Sequence, residues 1–290
     1  MKTALVMEGG AMRGMFTCGV LDVFLENQIE FDAAGGISAG AAFGCNFISR
    51  QHGRALRYNK KYCRDKRYCS IRSLIKTGDL YGADFCYREL PDVLDPFDRE
   101  SFAANKTEFY VGATDALTGR PVYHKCTDGG EEDFAWIRAS ASMPFVSHPV
   151  KTEGLTLLDG GVCDATPFDF FTGIGYKKFV IILTQPFGYV KKKSSARLFA
   201  RVFLRKYPAM ADAFAVRHER YNSELERIRR AELAGDALVI RPPAPLGIRR
   251  TEKRPEELQR VYDTGRSEAL KRIDEIKSFL NCGDCSAEQS

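Results

Sequence analysis

Phe31-Asp32-Ala33-Ala34-Gly35-Gly36-Ile37-Ser38-Ala39-Gly40-Ala41-Ala42-Phe43-Gly44 is the stretch that decides the fold. Phe31 to Ile37 predicts a short buried strand that ends in a tight turn. Ala39 to Arg50 then predicts a buried helix rich in small residues. Upstream, Ala4 to Glu8 has the pattern of another buried strand. A glycine turn follows, and from Met15 to Asn27 the residues Phe16, Val20, Val23 and Phe24 fall at helical spacing. Strand, helix, strand, helix in about fifty residues implies parallel pairing with right-handed crossovers.

Downstream, residues 51–105 read as an insertion over one end of the sheet, with a basic helix at Arg54 to Arg67 and a break at Pro91 to Pro96. Strands are predicted at Glu108 to Thr114 and Pro121 to Lys125, joined by a turn at Leu117-Thr118-Gly119-Arg120. A helix follows at Glu131 to Ser142 and is stopped by Pro144. Leu155 to Leu158 and Phe179 to Leu183 are further strands, the second a continuous apolar run of the buried parallel kind. The last third predicts helices at Ser194 to Lys206, Ala209 to Leu233 and Pro255 to Leu280, with a short strand at Leu238 to Ile240. The expected fold class is α/β: one three-layer domain with a mainly parallel central sheet. Residues 1–185 form its core and residues 186–290 a helical C-terminal extension packed on it.

Composition fits this reading. The 290 residues are 44% hydrophobic and 28% charged, which excludes a disordered or fibrous chain. A net charge of +5, from 43 Lys and Arg against 38 Asp and Glu, is too weak to imply nucleic acid. No run reaches the ~18 apolar residues of a spanning helix, and the N-terminal apolar stretch is too short for a signal peptide, so a cytoplasmic location is expected. Among nine cysteines, Cys18, Cys45, Cys63, Cys69, Cys86, Cys126 and Cys163 are scattered and read as small buried hydrophobes. Cys282 and Cys285 form a lone CxxC, short of the usual four zinc ligands.

Three motifs stand at predicted strand ends, where open α/β sheets place their ligands. Gly36-Ile37-Ser38-Ala39-Gly40 is a G-x-S-x-G pattern in strand-turn-helix context. A nucleophilic serine needs a sharp turn, and small residues two before and two after let strand and helix pack closely. The turn puts Ser38 at a helix N-terminus, where the Ala39 N–H can face an oxyanion. Gly9-Gly10-Ala11-Met12-Arg13-Gly14 is a glycine-rich loop that meets neither the dinucleotide spacing nor Walker A. Its amides suit an oxyanion hole, with Arg13 adding fixed positive charge; losing one such donor typically costs ~3 kcal/mol in the transition state. Asp159-Gly160-Gly161 reads as a carboxylate at a strand end, although an Asp-Gly turn would explain it equally well.

Only His218 and His148, the latter beside Pro149, are candidate imidazole partners for Ser38. Of His52, His124, His148 and His218, only His218 follows Asp159 in the chain order of strand-elbow hydrolases, and its charged surroundings predict a surface residue. The residues therefore suggest a serine hydrolase without a catalytic imidazole.

The ordered set of Gly9 to Gly14, Gly36 to Gly40 and Asp159 to Gly161 resembles the patatin-like phospholipases, over roughly residues 4–185. Arg138-Ala139-Ser140-Ala141-Ser142-Met143-Pro144-Phe145 resembles a further family block. The glycine loop begins one residue short of the family's commonest form, with Glu8 ahead of Gly9. The resemblance implies a Ser38–Asp159 dyad. It also implies an oxyanion hole from Gly9, Gly10, Ala11, Met12, Arg13, Gly14 and Ala39, and hydrolysis of lipid acyl esters without metal or cofactor.

The run from Lys191 to Lys206 carries seven positive charges and no acid, with Leu198, Phe199, Val202 and Phe203 between them. It fits peripheral contact with an anionic membrane, at about 1 kcal/mol per basic residue. The preferred reading is a solvated helix that packs its Phe residues on the core. Two other functions stay open at this point: an esterase or thioesterase for small soluble acyl groups, and a non-catalytic membrane-surface adaptor.

Overall fold

In a computed structural model, which describes residues 2–194 and 197–281, the chain forms one mixed sheet between helical layers. The elements of the first half are β1 Thr3–Met7, α1 Met15–Glu26, β2 Ala33–Ile37, α2 Ala39–Ile48, α3 Arg54–Tyr62, α4 Ile71–Thr77, α5 Arg99–Ala104 and β3 Glu108–Asp115. A 3₁₀ turn spans Ala11–Gly14, and a π-helical stretch spans Phe85–Leu94 around Pro91. The remainder comprises β4 Arg120–Cys126, α6 Glu131–Ser140, β5 Val150–Thr152, β6 Leu155–Asp159, α7 Phe168–Gly173, β7 Lys178–Ile182, α8 Arg197–Phe203, α9 Pro208–Ala234, β8 Ala237–Ile240, α10 Pro255–Lys271 and α11 Ile273–Asn281.

The strand order is β5-β6-β3-β2-β1-β7-β8, with β4 also paired to β3. Pairs from β3 through β2, β1 and β7 to β8 are parallel; β4, β6 and β5 join antiparallel. The parallel centre is apolar on both faces, as a sheet covered on two sides must be. Leu5, Met7, Val180 and Ile182 face the layer that holds α1, α2 and α10. Ala4, Val6, Ile181 and Val239 face α7 and α9 through Phe168, Phe171 and Ile228. Residues after 185 are integral to this core. They supply β8 to the sheet, and α10 packs on α1, where the Tyr262 hydroxyl donates to Asp22 Oδ2 at 2.7 Å.

Several expectations change in detail. The single terminal helix is two, α10 and α11, broken at Arg272, whose guanidinium reaches back to the Val239 carbonyl at 2.6 Å. Helix α6 ends at Ser140, two residues early. The inserted region holds α4, the π-helical stretch and α5 beside the expected helix, and β5 is an edge strand of three residues with too little pattern to read. The seven described cysteines are unpaired and buried or nearly so; Cys282 and Cys285 lie outside the described residues. The Phe residues of α8 do not pack into the core. Ala200 and Leu204 are buried, while Phe199 and Phe203 are more than half exposed and lean on Phe145. Among the described residues no helix is long and apolar enough to cross a membrane.

Candidate active site

The C-terminal ends of β1 and β2, together with the end of β6, bring the three motifs to one place. At the end of β2, Ser38 has φ 54° and ψ −116°, a conformation that L-residues rarely adopt. Such a turn costs on the order of 1–3 kcal/mol and persists only where its surroundings impose it. Small residues make it possible. A Cβ on Gly36 would lie 2.3 Å from the Gly40 carbonyl carbon, and one on Gly40 would lie 2.4 Å from the Met7 carbonyl oxygen. Strand, helix and neighbouring strand thus touch backbone to backbone, which is why the pattern needs both glycines.

A buried serine holds the turn. Ser140 Oγ accepts the Ser38 N–H at 2.7 Å and donates to the Gly112 carbonyl at 2.6 Å, tying the elbow to β3. Nothing in the residue type alone distinguished Ser140; its signal was the Arg138–Phe145 block. The backbone of Ser142, two residues on, accepts the Asp159 N–H at 2.8 Å and so positions the end of β6.

Ser38 and Asp159, 121 residues apart, meet directly. Ser38 Oγ donates to Asp159 Oδ2 at 2.9 Å, and Oδ1 accepts the Gly161 N–H at 2.7 Å. Asp159 is therefore more than a turn residue. Burial pushes its carboxyl above the ordinary range. The Gly161 N–H, the Ser38 hydroxyl and the charges of Arg217 and Lys191 pull the other way and favour the ionised form.

None of the four histidines hydrogen-bonds to either member of the pair. His52 bonds Glu26, and His124 bonds Asp133 and stacks on Trp136. The His148 amide donates to Asp79. His218, expected at the surface, is only 15% exposed at its side chain, with Nδ1 buried and unpartnered among the described residues. The mixed charge around it in sequence belongs to the solvent face of α9, and His218 sits on the flank of that helix.

The glycine loop lies against Ser38. A Cβ on Gly9 would sit 3.2 Å from Ser38 Cβ and 2.9 Å from the Ile37 carbonyl, so Gly9 keeps the approach open. Its N–H, however, already donates to the Ala165 carbonyl, and that of Arg13 to Gly10. The amides of Gly10, Ala11, Met12 and Ala39 have no acceptor among the described residues. Gly14 instead serves packing, since a Cβ there would meet the Phe43 ring at 2.8 Å. Glu8 anchors the loop from below. Its carboxylate accepts the Thr184 N–H and hydroxyl and the Tyr221 hydroxyl, and Thr184 Oγ1 in turn accepts from Arg13 Nε at 3.3 Å.

A cavity of about 110 Å³ has Ser38 and Met12 in its wall and continues between Phe43, Tyr58, Tyr87 and Ile137 toward the inserted region. Its lining is mostly apolar, and the Tyr58 and Tyr87 hydroxyls are held neutral by burial. His124, Cys126 and Asp133 come close enough together to suggest a metal site. Asp133 already accepts three backbone N–H groups and His124, so this cluster works as a hydrogen-bonded loop clamp.

Comparison with known proteins identifies the family. The model of the patatin-like phospholipase family matches residues 5–172, and a domain of unknown function (DUF6363) matches residues 207–281. The uncharacterized protein YjjU of Escherichia coli (strain K12) is 35% identical over 191 residues, 64% of this chain and 52% of that protein. Lysophospholipase nte1 of Aspergillus fumigatus is 27% identical over 178 residues, 59% of this chain and 11% of the enzyme. The chain thus spans about half the length of the bacterial relative and about a tenth of the fungal one. Among solved structures, VipD from Legionella pneumophila aligns with a TM-score of 0.45 and 10% identity, over 94% of this chain and 67% of that one.

Proposed function

The chain belongs to the patatin-like phospholipase family, and from that premise we propose that it hydrolyses acyl esters of lipids, of the phospholipase A or lysophospholipase type. The observation that carries this reading is the direct Ser38 Oγ–Asp159 Oδ2 hydrogen bond of 2.9 Å beside an apolar cavity. Ser38 attacks the ester carbonyl and passes its proton to Asp159. The tetrahedral oxyanion is met by amides of the glycine loop, Gly10, Ala11 and Met12, and by that of Ala39, with Arg13 reinforcing the positive field. Collapse releases the alcohol, protonated by Asp159, and leaves an acyl-Ser38 ester. Asp159 then activates water for the second half-reaction.

An unperturbed Asp, with a pKa of ~3.9, is a weak base at neutral pH. Burial raises Asp159 toward useful basicity, and the neighbouring cations still favour its ionised form. The acyl chain fits the cavity between Phe43 and Ile137. The exposed Phe187, Val190, Phe199, Val202 and Phe203, together with the exposed Lys192, Lys193, Arg201, Arg205 and Lys206, support peripheral contact with an anionic lipid surface. Liposome binding that weakens with salt and with Lys192→Glu and Lys193→Glu is the expected result; binding indifferent to both rejects the contact.

The test of the chemistry is labelling by a fluorophosphonate, with hydrolysis of p-nitrophenyl esters of rising chain length. Ser38→Ala abolishes both, and Asp159→Asn abolishes turnover, while circular dichroism remains that of the parent. Retained hydrolysis in purified Ser38→Ala protein rejects the dyad. A preference for acetate over longer chains would favour an esterase for small soluble acyl groups.

A further inference from the structure

Lys191 and Arg217 lie near enough to Asp159 to act on its carboxylate, Arg13 and Arg217 act on Lys191 in turn, and none of the three forms an ion pair among the described residues. Arg13 reaches Thr184 through Nε. Lys191 lies on the segment after β7, its backbone clamped by Asn222 and its Nζ 3.8 Å above the Tyr221 ring, whose hydroxyl is bonded to Glu8. Arg217 projects from α9 with its guanidinium 5.1 Å from the Phe214 ring, and Phe214 packs on Phe145, two residues from the cavity-lining Met143. Its Nε is buried and without a hydrogen-bond partner among the described residues.

The charges act on one another. Lys191 is pushed down to about 8, chiefly by burial and then by Arg217, with Arg13 adding to it. Arg217 is itself lowered by burial and held up by Asp159. Partly buried like charges drawn together with an unsatisfied donor are unfavourable unless something anionic completes them. Glu8, a buried acid that holds Lys191 up, already accepts three hydrogen bonds from Thr184 and Tyr221.

We propose that Lys191 and Arg217, with Arg13, form an anion subsite that takes the phosphate of a glycerophospholipid headgroup while the acyl chain lies in the apolar cavity. The inference rests on the reading of Ser38 as the nucleophile that faces the ester between these two subsites. A phosphodiester or phosphomonoester offers several acceptor oxygens to a guanidinium fork and a point ammonium, a combination that a neutral acylglycerol lacks. Lys191 and Arg217 would thus be specificity-determining residues contributed by the chain beyond β7.

The experiment compares the wild-type chain with Lys191→Met, Arg217→Met and the double variant. Substrates are a lysophosphatidic acid, the monoacylglycerol with the same chain, and p-nitrophenyl butyrate. The readout is the ratio of kcat/KM for lysophosphatidic acid to that for monoacylglycerol. This ratio should fall about tenfold or more in the double variant, mainly through KM, the range expected for lost hydrogen bonds to a charged group. Lys191→Arg should restore part of it. Independently of any variant, glycerol 3-phosphate should slow fluorophosphonate labelling of wild-type Ser38 more than inorganic phosphate does. An unchanged substrate ratio, no protection by glycerol 3-phosphate, or protection by inorganic phosphate alone overturns the headgroup subsite. Failure of the nucleophile reading looks different: Ser38→Ala would still cleave p-nitrophenyl butyrate.

Discussion

Replacing Ser140 by Ala removes one hydroxyl and strands two backbone groups. The Ser38 N–H loses its acceptor at 2.7 Å, and the Gly112 carbonyl loses its donor at 2.6 Å. Ser140 is fully buried, so water does not readily take over either bond. Each unsatisfied buried group costs about 1–3 kcal/mol, partly relieved by local relaxation, so the expected loss of stability is ~2–4 kcal/mol. For a chain of this size that lowers Tm by roughly 5–10 °C. Activity should suffer separately. The turn at Ser38 is held in a rare conformation by this bond among others, and release lets Oγ drift from Asp159. A displacement near 1 Å at a reacting atom costs on the order of a hundredfold, so kcat should fall ten- to a hundredfold with KM little changed. Thermal unfolding and steady-state hydrolysis of p-nitrophenyl butyrate give both numbers. Ser142→Ala is the control, because its hydroxyl donates only to the Arg138 carbonyl, one helical turn back. It should lose no more than about 1 kcal/mol and keep its rate. A Ser140→Ala protein that matches the Ser142→Ala protein in both measurements refutes the role assigned to the Ser38–Ser140–Gly112 link.

Other outcomes follow from the same geometry. Gly40→Ala puts a Cβ 2.4 Å from the Met7 carbonyl oxygen and should lose roughly 3 kcal/mol or more in denaturant unfolding, since two backbones must separate; a loss under about 1 kcal/mol rejects the close packing. Glu224 is buried beside Asp164, and burial first, then that neighbouring acid, raises its carboxyl well above the ordinary range. A carboxyl raised in the fold contributes stability that is full at low pH and is lost as pH rises past the unfolded-chain value of about 4.3 toward the folded one. Glu224→Gln should therefore gain Tm relative to wild type between pH 5 and pH 8, and a constant difference across that range would sink the assignment. Cys86→Phe places a ring in the cavity and should lower kcat/KM for long-chain esters about tenfold relative to acetate; parallel losses for both would remove the cavity as the acyl site.

The sequence carries the site more fully than the periphery, for a physical reason. Gly36, Ser38 and Gly40 are constrained by contacts within one strand-turn-helix unit, so short-range spacing reports them directly. The apolar strands β1, β2 and β7 are legible because both of their faces are covered. Arg138 to Phe145 stood out as a block, yet the roles within it depend on register: Ser140 meets Ser38 only because α6 lies across β3. The engaged amide of Gly9 was equally out of sight, since its acceptor, Ala165, arrives from 156 residues later. The break at Arg272 depends on a bond to β8, and no local residue demands it. His218 misled because charge around a helical residue describes the helix as a whole and not the one flank on which it sits.

The proposed dyad asks one carboxylate to satisfy opposed demands, and the surroundings of Asp159 divide them by distance. Close contacts favour the ionised form: the Gly161 N–H at 2.7 Å and the Ser38 hydroxyl at 2.9 Å. Burial opposes them and prevails, leaving the carboxyl above its ordinary range. More distant positive charge from Arg217 and Lys191 then limits how far it rises. The acid limb of kcat/KM should accordingly lie above pH ~3.9, the value of an unperturbed Asp. Arg217→Met removes one restraining charge and should move that limb to higher pH, whereas a headgroup role alone would change KM for charged lipids and leave the limb in place on p-nitrophenyl butyrate. A limb that stays fixed in Arg217→Met would therefore separate the guanidinium from the base while leaving its contact with phosphate to be judged by the substrate ratio.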